Sequence, residues 1–277
     1  MENKGIYVHE ASLIPTLRCN LRCKHCLAFA PYYNESTDFS LQENCDLIDT
    51  YFSLADKTEN FIIVGGEILL HPNINEIVSK VAKYSNKVNK IVFTTNGTLP
   101  IPFELLEILI KIPNLEINLS DYGKNVSVKV DEIQQIMNKH KIPIKTFKYH
   151  GDDMHYNGWV DFTDHRYKYL SNKELIIRSK KCGLLNRNRI MMCGGKFYRC
   201  LRVMRRVDIG IIPNCELTSL DICENLDEKY KNKLHKLLNA PVTPGCAYCV
   251  GKQEGIPHVT PAIQLTNEEI NKGVELI

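Results

Sequence analysis

Cys19-Asn20-Leu21-Arg22-Cys23-Lys24-His25-Cys26 sets three thiols in a CxxxCxxC spacing. Three thiolates can ligate three corners of a [4Fe–4S] cube and leave the fourth iron open to a small molecule, whereas four protein ligands would close it. A zinc site, or three unconnected core cysteines, is the competing reading, because Cys suits zinc and is common in protein interiors. Zinc wants four ligands, and the sequence downstream carries motifs that a zinc loop has no use for.

Outward from that stretch, the chain alternates. Leu13, Ile14 and Leu17 predict a strand at about Ala11 to Thr16, with the cysteines in the loop behind it. Ser40 and Glu43 form a capping box ahead of Leu41, Leu47, Ile48, Tyr51 and Phe52, an amphipathic helix with Cys45 on its apolar side. The apolar strand Phe61-Ile62-Ile63-Val64 stops at Gly65-Gly66-Glu67, and Asn73 opens a second helix. Lys90 to Phe93 is a strand ending in Thr94-Thr95-Asn96-Gly97, and Phe103 to Ile110 is a helix stopped by Pro113. Leu115 to Leu119 is a strand ending in Ser120-Asp121-Tyr122-Gly123; a helix through Val130, Ile133 and Met137 and a strand from Ile142 to Tyr149 follow. Buried strands alternating with helices mean parallel βα units. Polar, glycine-rich signatures behind each of several successive strands suit a (β/α) barrel, whose chemistry gathers at the strand C-termini, better than an open sheet with one switch point.

The three-cysteine loop followed by Gly65-Gly66-Glu67 resembles the radical S-adenosylmethionine (radical SAM) superfamily. The resemblance implies a partial (β/α) TIM-like barrel, with Cys19, Cys23 and Cys26 holding a [4Fe–4S] cluster. S-adenosylmethionine would chelate its open iron and be cleaved to a 5′-deoxyadenosyl radical that removes a substrate hydrogen. It also implies that Gly65, Gly66 and Glu67 hold the methionine amino group, with Thr95, Asn96, Ser120 and Asp121 near the same ligand. The physics agrees: glycines permit close backbone approach, and an exposed carbonyl or carboxylate can accept from an ammonium. Asn-Gly and Asp-Tyr-Gly are also ordinary turn chemistry. His25 stands where an aromatic residue is frequent and reads as a stacking ring.

After Gly151 the alternation fails, so residues 1–170 are read as the barrel and 171–277 as a second unit. There Cys182, a hairpin turned on Gly194-Gly195 and running into Cys200, and Cys246-Ala247-Tyr248-Cys249 can supply four thiolates. The Gly195-x4-Cys200 step resembles the twitch domain, the short form of the SPASM auxiliary-cluster domain, and the spacing is most similar to that of aminocyclitol-oxidising radical SAM dehydrogenases. A second, fully ligated [4Fe–4S] cluster is implied. A four-cysteine zinc knuckle is the alternative. Arg199, Arg202, Arg205 and Arg206 could meet a phosphate or carboxylate, but solvated surface is the preferred reading. Thr266 and Glu269 cap a short packing helix. Cys215 and Cys223 carry no pattern.

The function so implied is dehydrogenation of a secondary alcohol of a sugar or aminocyclitol, with the auxiliary cluster taking an electron and His165 and Arg166 holding the alkoxide. An epimerase using Cys193 as hydrogen donor, and a peptide-modifying SPASM enzyme, are the radical alternatives. A non-catalytic iron–sulfur or zinc carrier would lack the S-adenosylmethionine motifs. The 277 residues, 44% hydrophobic, support one large domain or two ordinary ones. Their net charge of +3 predicts no nucleic-acid partner, and no apolar run approaches the ~20 residues of a membrane span. Met1-Glu2-Asn3-Lys4-Gly5 lacks a signal pattern, and eleven cysteines argue for metal rather than disulfides, so a cytoplasmic address and a flavodoxin- or ferredoxin-type electron donor are expected.

Overall fold

The computed structural model describes residues 6–33, 37–185, 187–223, 225–251, 255–275 and 277. Residues 1–5, the stretch read for a signal, lie outside them. The first half is β1 (Ile6–Leu13), α1 (Leu41–Leu54), β2 (Ala55–Ile63), α2 (Ile74–Ala82), β3 (Val88–Thr95), α3 (Phe103–Leu109), β4 (Leu115–Asp121), α4 (Val130–Lys139) and β5 (Ile144–Lys148). The capping box of Ser40 with Glu43 starts α1, which buries Leu47, Ile48, Tyr51 and Phe52 against the sheet core. The first strand starts and ends earlier than its apolar residues suggest. Beyond Leu13 the chain reaches Pro15, which has no N–H to give a ladder, and Thr16 bridges to Asp38 instead.

The second half holds β6 (Trp159–Val160), α5 (Asn172–Lys181), β7 (Arg189–Cys193), β8 (Lys196–Tyr198), α6 (Leu201–Asp208), β9 (Ser219–Asp221), α7 (Glu228–Asn239), β10 (His258–Val259) and α8 (Asn267–Lys272). The glycine hairpin forms as expected: Gly194 and Gly195 both take positive φ, as a tight type I′ turn requires.

One mixed sheet of eight strands organises the molecule, in the order β5-β4-β3-β2-β1-β7-β8-β9. Its run from β5 to β7 is parallel and its last two strands are antiparallel, a curved partial barrel extended at one edge. Residues on both sides of position 170 thus share a single sheet. Glu10 lies opposite Arg189 in the β1–β7 register, and the two make a buried ion pair. β6 and β10 form a separate antiparallel pair. Among the described residues no helix is long and apolar enough to cross a membrane.

Candidate functional site

The parallel ladder between β1 and β2 continues past both strands, and that continuation builds the site. Gly66 N donates to Thr16 O and Glu67 N to Arg18 O, each at 2.9 Å. The Gly-Gly-Glu turn is thereby laced to the chain entering the cysteine loop. A Cβ on Gly65 would fall 2.3 Å from Thr16 O, and one on Gly66 2.1 Å from Arg18 O, so only glycine lets these backbones approach. Glu67 is fully buried, and its carboxylate accepts from Leu69 N, Thr95 Oγ1 and Asn96 N at 2.8–3.0 Å. Burial pushes its carboxyl above the usual glutamate range, against the pull of those donors.

Asn96 carries the network onward. Its Nδ2 donates to Asn20 Oδ1 at 3.0 Å and lies 3.8 Å from Cys19 Sγ, while its carbonyl accepts from Ser127 Oγ at 2.7 Å. The same hydroxyl donates to the Ser120 carbonyl at 3.2 Å. Asp121, the last residue of β4, accepts from Gly123 N at 2.8 Å and stands 3.1 Å from His150 Nε2. The ends of β2, β3 and β4 are thus tied to one another and to the first cysteine.

Cys19, Cys23 and Cys26 lie near enough for their charges to act on one another. Burial pushes the Cys19 thiol up to about 11 and the Cys23 thiol up to about 12, and the charges of neighbouring thiols push further in the same direction. Burial also raises Cys26. Three crowded thiols that resist joint ionisation suit a positively charged metal–sulfide core, which would take them as thiolates. His25 Nδ1 lies 3.3 Å from Asp161 Oδ1, so the ring faces a carboxylate.

Two parts of this centre were not legible in the sequence. Gln264 Nε2 donates to Cys23 Sγ at 3.3 Å, and its Oε1 accepts from Arg22 N at 2.7 Å. The backbone pairs alongside, Lys24 N to Ile263 O and Leu265 N to Arg22 O, both at 2.8 Å. The segment before α8 is therefore a strap across the cysteine loop. Tyr122 is the second: its ring stacks on Tyr149 at 5.5 Å and meets Trp159 edge-on at 5.6 Å. Burial raises its hydroxyl well above the usual range, and the charges of Cys23 and Cys26 add to that shift, which places the aromatic wall beside the cysteine loop.

Cys182, Cys200, Cys246 and Cys249 line one small cavity of about 30 Å³. Among the described residues no three His, Cys, Asp or Glu side chains converge on a single ion; the four thiols share the lining of this cavity. The arginines correct their reading as solvated surface. Arg202 and Arg206 are 2% and 1% exposed, and Arg199 and Arg205 are also buried. Cys200 is the N-cap of α6, which turns Arg202 and Arg206 inward onto the thiol cavity. Among the described residues Arg202 Nη1, Arg206 Nε and Arg199 Nε have no hydrogen-bond partner. Buried cations with idle donors around four thiols fit an anionic group in that cavity. Burial opposes ionisation of Cys249, but Arg202 and Arg206 outweigh it and hold that thiol below its ordinary value.

The three candidate catalytic residues separate. His165 is buried, its Nε2 2.7 Å from Glu275 Oε1, its ring 5.5 Å from Phe29 and its Nδ1 without a partner among the described residues. Arg205 clamps the same Glu275 carboxylate. The Arg166 side chain is 63% exposed and held by Asp164 at 3.0 Å. Cys193 is buried among Ile14, Met191, Tyr198 and Met204, where burial raises its thiol. All eleven cysteines are free thiols.

The pattern of the Radical SAM superfamily matches residues 13–150, and the chain belongs to that superfamily, whose members use an S-adenosylmethionine-binding iron–sulfur cluster. Its curated relatives include the antilisterial bacteriocin subtilosin biosynthesis protein AlbA of Bacillus subtilis (strain 168). AlbA is 40% identical over 89 residues, which are 30% of this chain and 17% of AlbA. The GTP 3′,8-cyclase of Chlorobaculum tepidum is 38% identical over 96 residues, 34% of this chain and 28% of the cyclase. The matches thus span less than a third of each curated relative. Over nearly the whole chain the fold is similar to that of BtrN solved with AdoMet and 2-DOIA, with a TM-score of 0.58, 13% identity, and 94% and 100% of the two chains covered. Native anSMEcpe with AdoMet and the Kp18Cys peptide gives 0.51, 14%, and 96% and 95%.

Proposed function

We propose that this enzyme dehydrogenates a secondary alcohol of a sugar or aminocyclitol. Its radical SAM chemistry is general to the superfamily; the oxidation is inferred from the second thiol set. When bound, the open-iron cluster with S-adenosylmethionine supplies a 5′-deoxyadenosyl radical, and the auxiliary cluster supplies a one-electron acceptor. For the oxidation to balance, the carbinol hydrogen atom would go to the 5′-deoxyadenosyl radical, the hydroxyl proton to a base and one electron to the auxiliary site. A C=O bond results.

The chain's own residues divide this work. Cys19, Cys23 and Cys26 would hold the first cluster and Cys182, Cys200, Cys246 and Cys249 the second. Because the Glu67 carboxylate is spent on Leu69, Thr95 and Asn96, the backbone of Gly65-Gly66 is the acceptor left for the methionine ammonium. We assign the proton to His165 Nδ1 rather than to Arg166: an ionised Glu275 on Nε2 fixes the tautomer that leaves Nδ1 free to accept. Tyr122, Tyr149 and Trp159 offer flat apolar faces to the C–H surface of a ring.

The single observation that carries the oxidative reading is the four-thiol cavity ringed by buried guanidinium groups. Support for a small polyol comes from the full-length likeness to BtrN, whose structure holds 2-DOIA. Nothing in the surroundings of Cys193 favours epimerisation, since apolar side chains enclose it. A flavodoxin or ferredoxin in a reducing cytoplasm would deliver the starting electron. The test is anaerobic reconstitution of wild type and of Cys246→Ala/Cys249→Ala. Iron, labile sulfide and 5′-deoxyadenosine are measured in both, and products from a panel of polyols and aminocyclitols. About eight irons falling to about four, with S-adenosylmethionine cleavage kept and ketone lost, is expected. A wild type with zinc in the second site and redox-neutral products, or with modified peptides only, would overturn it.

A further inference from the structure

The first cysteine loop is gripped from the far end of the chain. Arg22 and Lys24, the residues on either side of Cys23, give their backbone N–H groups to Gln264 Oε1 at 2.7 Å and to Ile263 O at 2.8 Å, and Leu265 N returns to Arg22 O at 2.8 Å. Their side chains reach α8 as well. The Arg22 guanidinium donates to Asn267 Oδ1, and Lys24 Nζ lies 3.9 Å from Glu269 Oε1.

Within this grip the Gln264 amide is fully committed. Its Nε2 gives one N–H to Ala262 O at 2.7 Å and the other to Cys23 Sγ at 3.3 Å, while Oε1 takes Arg22 N. A flipped amide would set its oxygen against the Ala262 carbonyl and its own N–H groups against that of Arg22, so only this orientation satisfies all three partners. Ala262 has a left-handed backbone, φ 55°, which an L residue keeps only where its surroundings impose it. Cys19 draws its donors from its own loop and from the barrel, Leu21 N at 3.4 Å and Asn96 Nδ2 at 3.8 Å. Cys23 instead takes a side-chain donor from 241 positions away. An N–H aimed at a ligand sulfur stabilises negative charge there, and so favours the state of a cluster that holds one more electron.

We propose that Gln264 is a positioning residue of the first centre, and that its amide N–H on the Cys23 sulfur raises the potential at which that centre accepts its starting electron. This rests on Cys19, Cys23 and Cys26 holding the first cluster, and is independent of whether the substrate is oxidised. The step it serves is a one-electron transfer from a flavodoxin- or ferredoxin-type donor. The donor is oxidised, the first centre is reduced, and no bond to Gln264 forms or breaks.

The test uses the full chain with Cys246→Ala/Cys249→Ala, so that the first centre alone carries iron. It is titrated potentiometrically without S-adenosylmethionine, following the EPR signal of the reduced state. In that background Gln264→Met, which keeps the length of the side chain and removes its polar end, should make reduction about tenfold harder, a shift of about 59 mV for one electron. Gln264→Glu keeps an acceptor for Arg22 N but sets a carboxylate in place of the donor, and should lower the potential at least as far. Asn267→Ala frees the Arg22 side chain from α8 and leaves Gln264 in place, so the potential should stay at the parent value. Unshifted potentials in Gln264→Met and Gln264→Glu with iron retained overturn the proposal. An equal shift in Asn267→Ala would assign the effect to the grip rather than to the donor, and overturns it too. Loss of iron from both Gln264 variants, with Asn267→Ala loaded, would make Gln264 structural and overturn it equally. A parent that binds no iron sinks the cysteine assignment and this proposal together. A loaded parent that yields no ketone from the polyol panel even with Cys246 and Cys249 restored removes the dehydrogenase reading, and a shift in its Gln264 variants still bears this one out.

Discussion

A methyl group on Gly66 would meet the Arg18 carbonyl oxygen at 2.1 Å, and backbone cannot swing aside as a flexible side chain does. Gly66→Ala must therefore push the Gly-Gly-Glu turn away from the cysteine loop by an ångström or so. A misplacement of that size costs about a hundredfold in rate, and 5′-deoxyadenosine formation in reconstituted enzyme should fall by about that factor. An alanine variant with wild-type cleavage would mean that the close approach is dispensable. The need for glycine here was legible from the residue types, but its cause was not: the approaching backbone is that of Thr16 and Arg18, in the chain's own loop. Arg202 and Arg206 were illegible for the opposite reason. Arginine is a surface residue by default, and only the cysteines around the cavity reverse that default.

Among the elements, the C-terminal segment does more than pack. Glu275 accepts from His165 and is clamped by Arg205 across a buried junction. Burial would raise its carboxyl, yet the two partners hold it below the ordinary value of 4.5. A depressed folded-state value means that the stabilisation is present above the unfolded value and is lost as pH falls through the folded one. Glu275→Gln should thus cost ~2 kcal/mol at neutral pH, the scale of hydrogen bonds to a charged group. Urea midpoints at pH 7 and in acid check it: the gap between variant and wild type should shrink in acid. A gap that widens would show that the junction is stabilised by something other than ionised Glu275. The capping box that starts α8 was readable from Thr266 and Glu269. The strap ahead of it was not, because Gln264 meets a loop 241 positions away and local periodicity carries no signal over that distance.

For the molecule as a whole, strand–helix alternation announced five parallel strands and their ends, since buried strands and amphipathic helices write their own periods. The fit of the second half was hidden. Pairing of β7 with β1 is invisible to either segment alone, and it makes the hairpin the neighbour of the sheet's first strand. A chain cut after residue 170 would open the β1 edge and strand the buried Glu10 carboxylate without Arg189. Exposed edges invite intermolecular pairing, and a buried unpaired charge costs ~3–5 kcal/mol. The 1–170 fragment should accordingly aggregate on size-exclusion chromatography, while Arg189→Met in the full chain should stay monodisperse but melt earlier. A well-folded monomeric fragment would establish two independent folding units.

The strap also imposes an order in time. Cys23 emerges from the ribosome early, but the amide that donates to its sulfur is that of Gln264, made 241 residues later. At ~5–20 residues per second that gap is roughly ten to fifty seconds. Through that interval the cysteine loop lacks its strap. The strapped form of the loop therefore waits until the segment carrying Gln264 has been made.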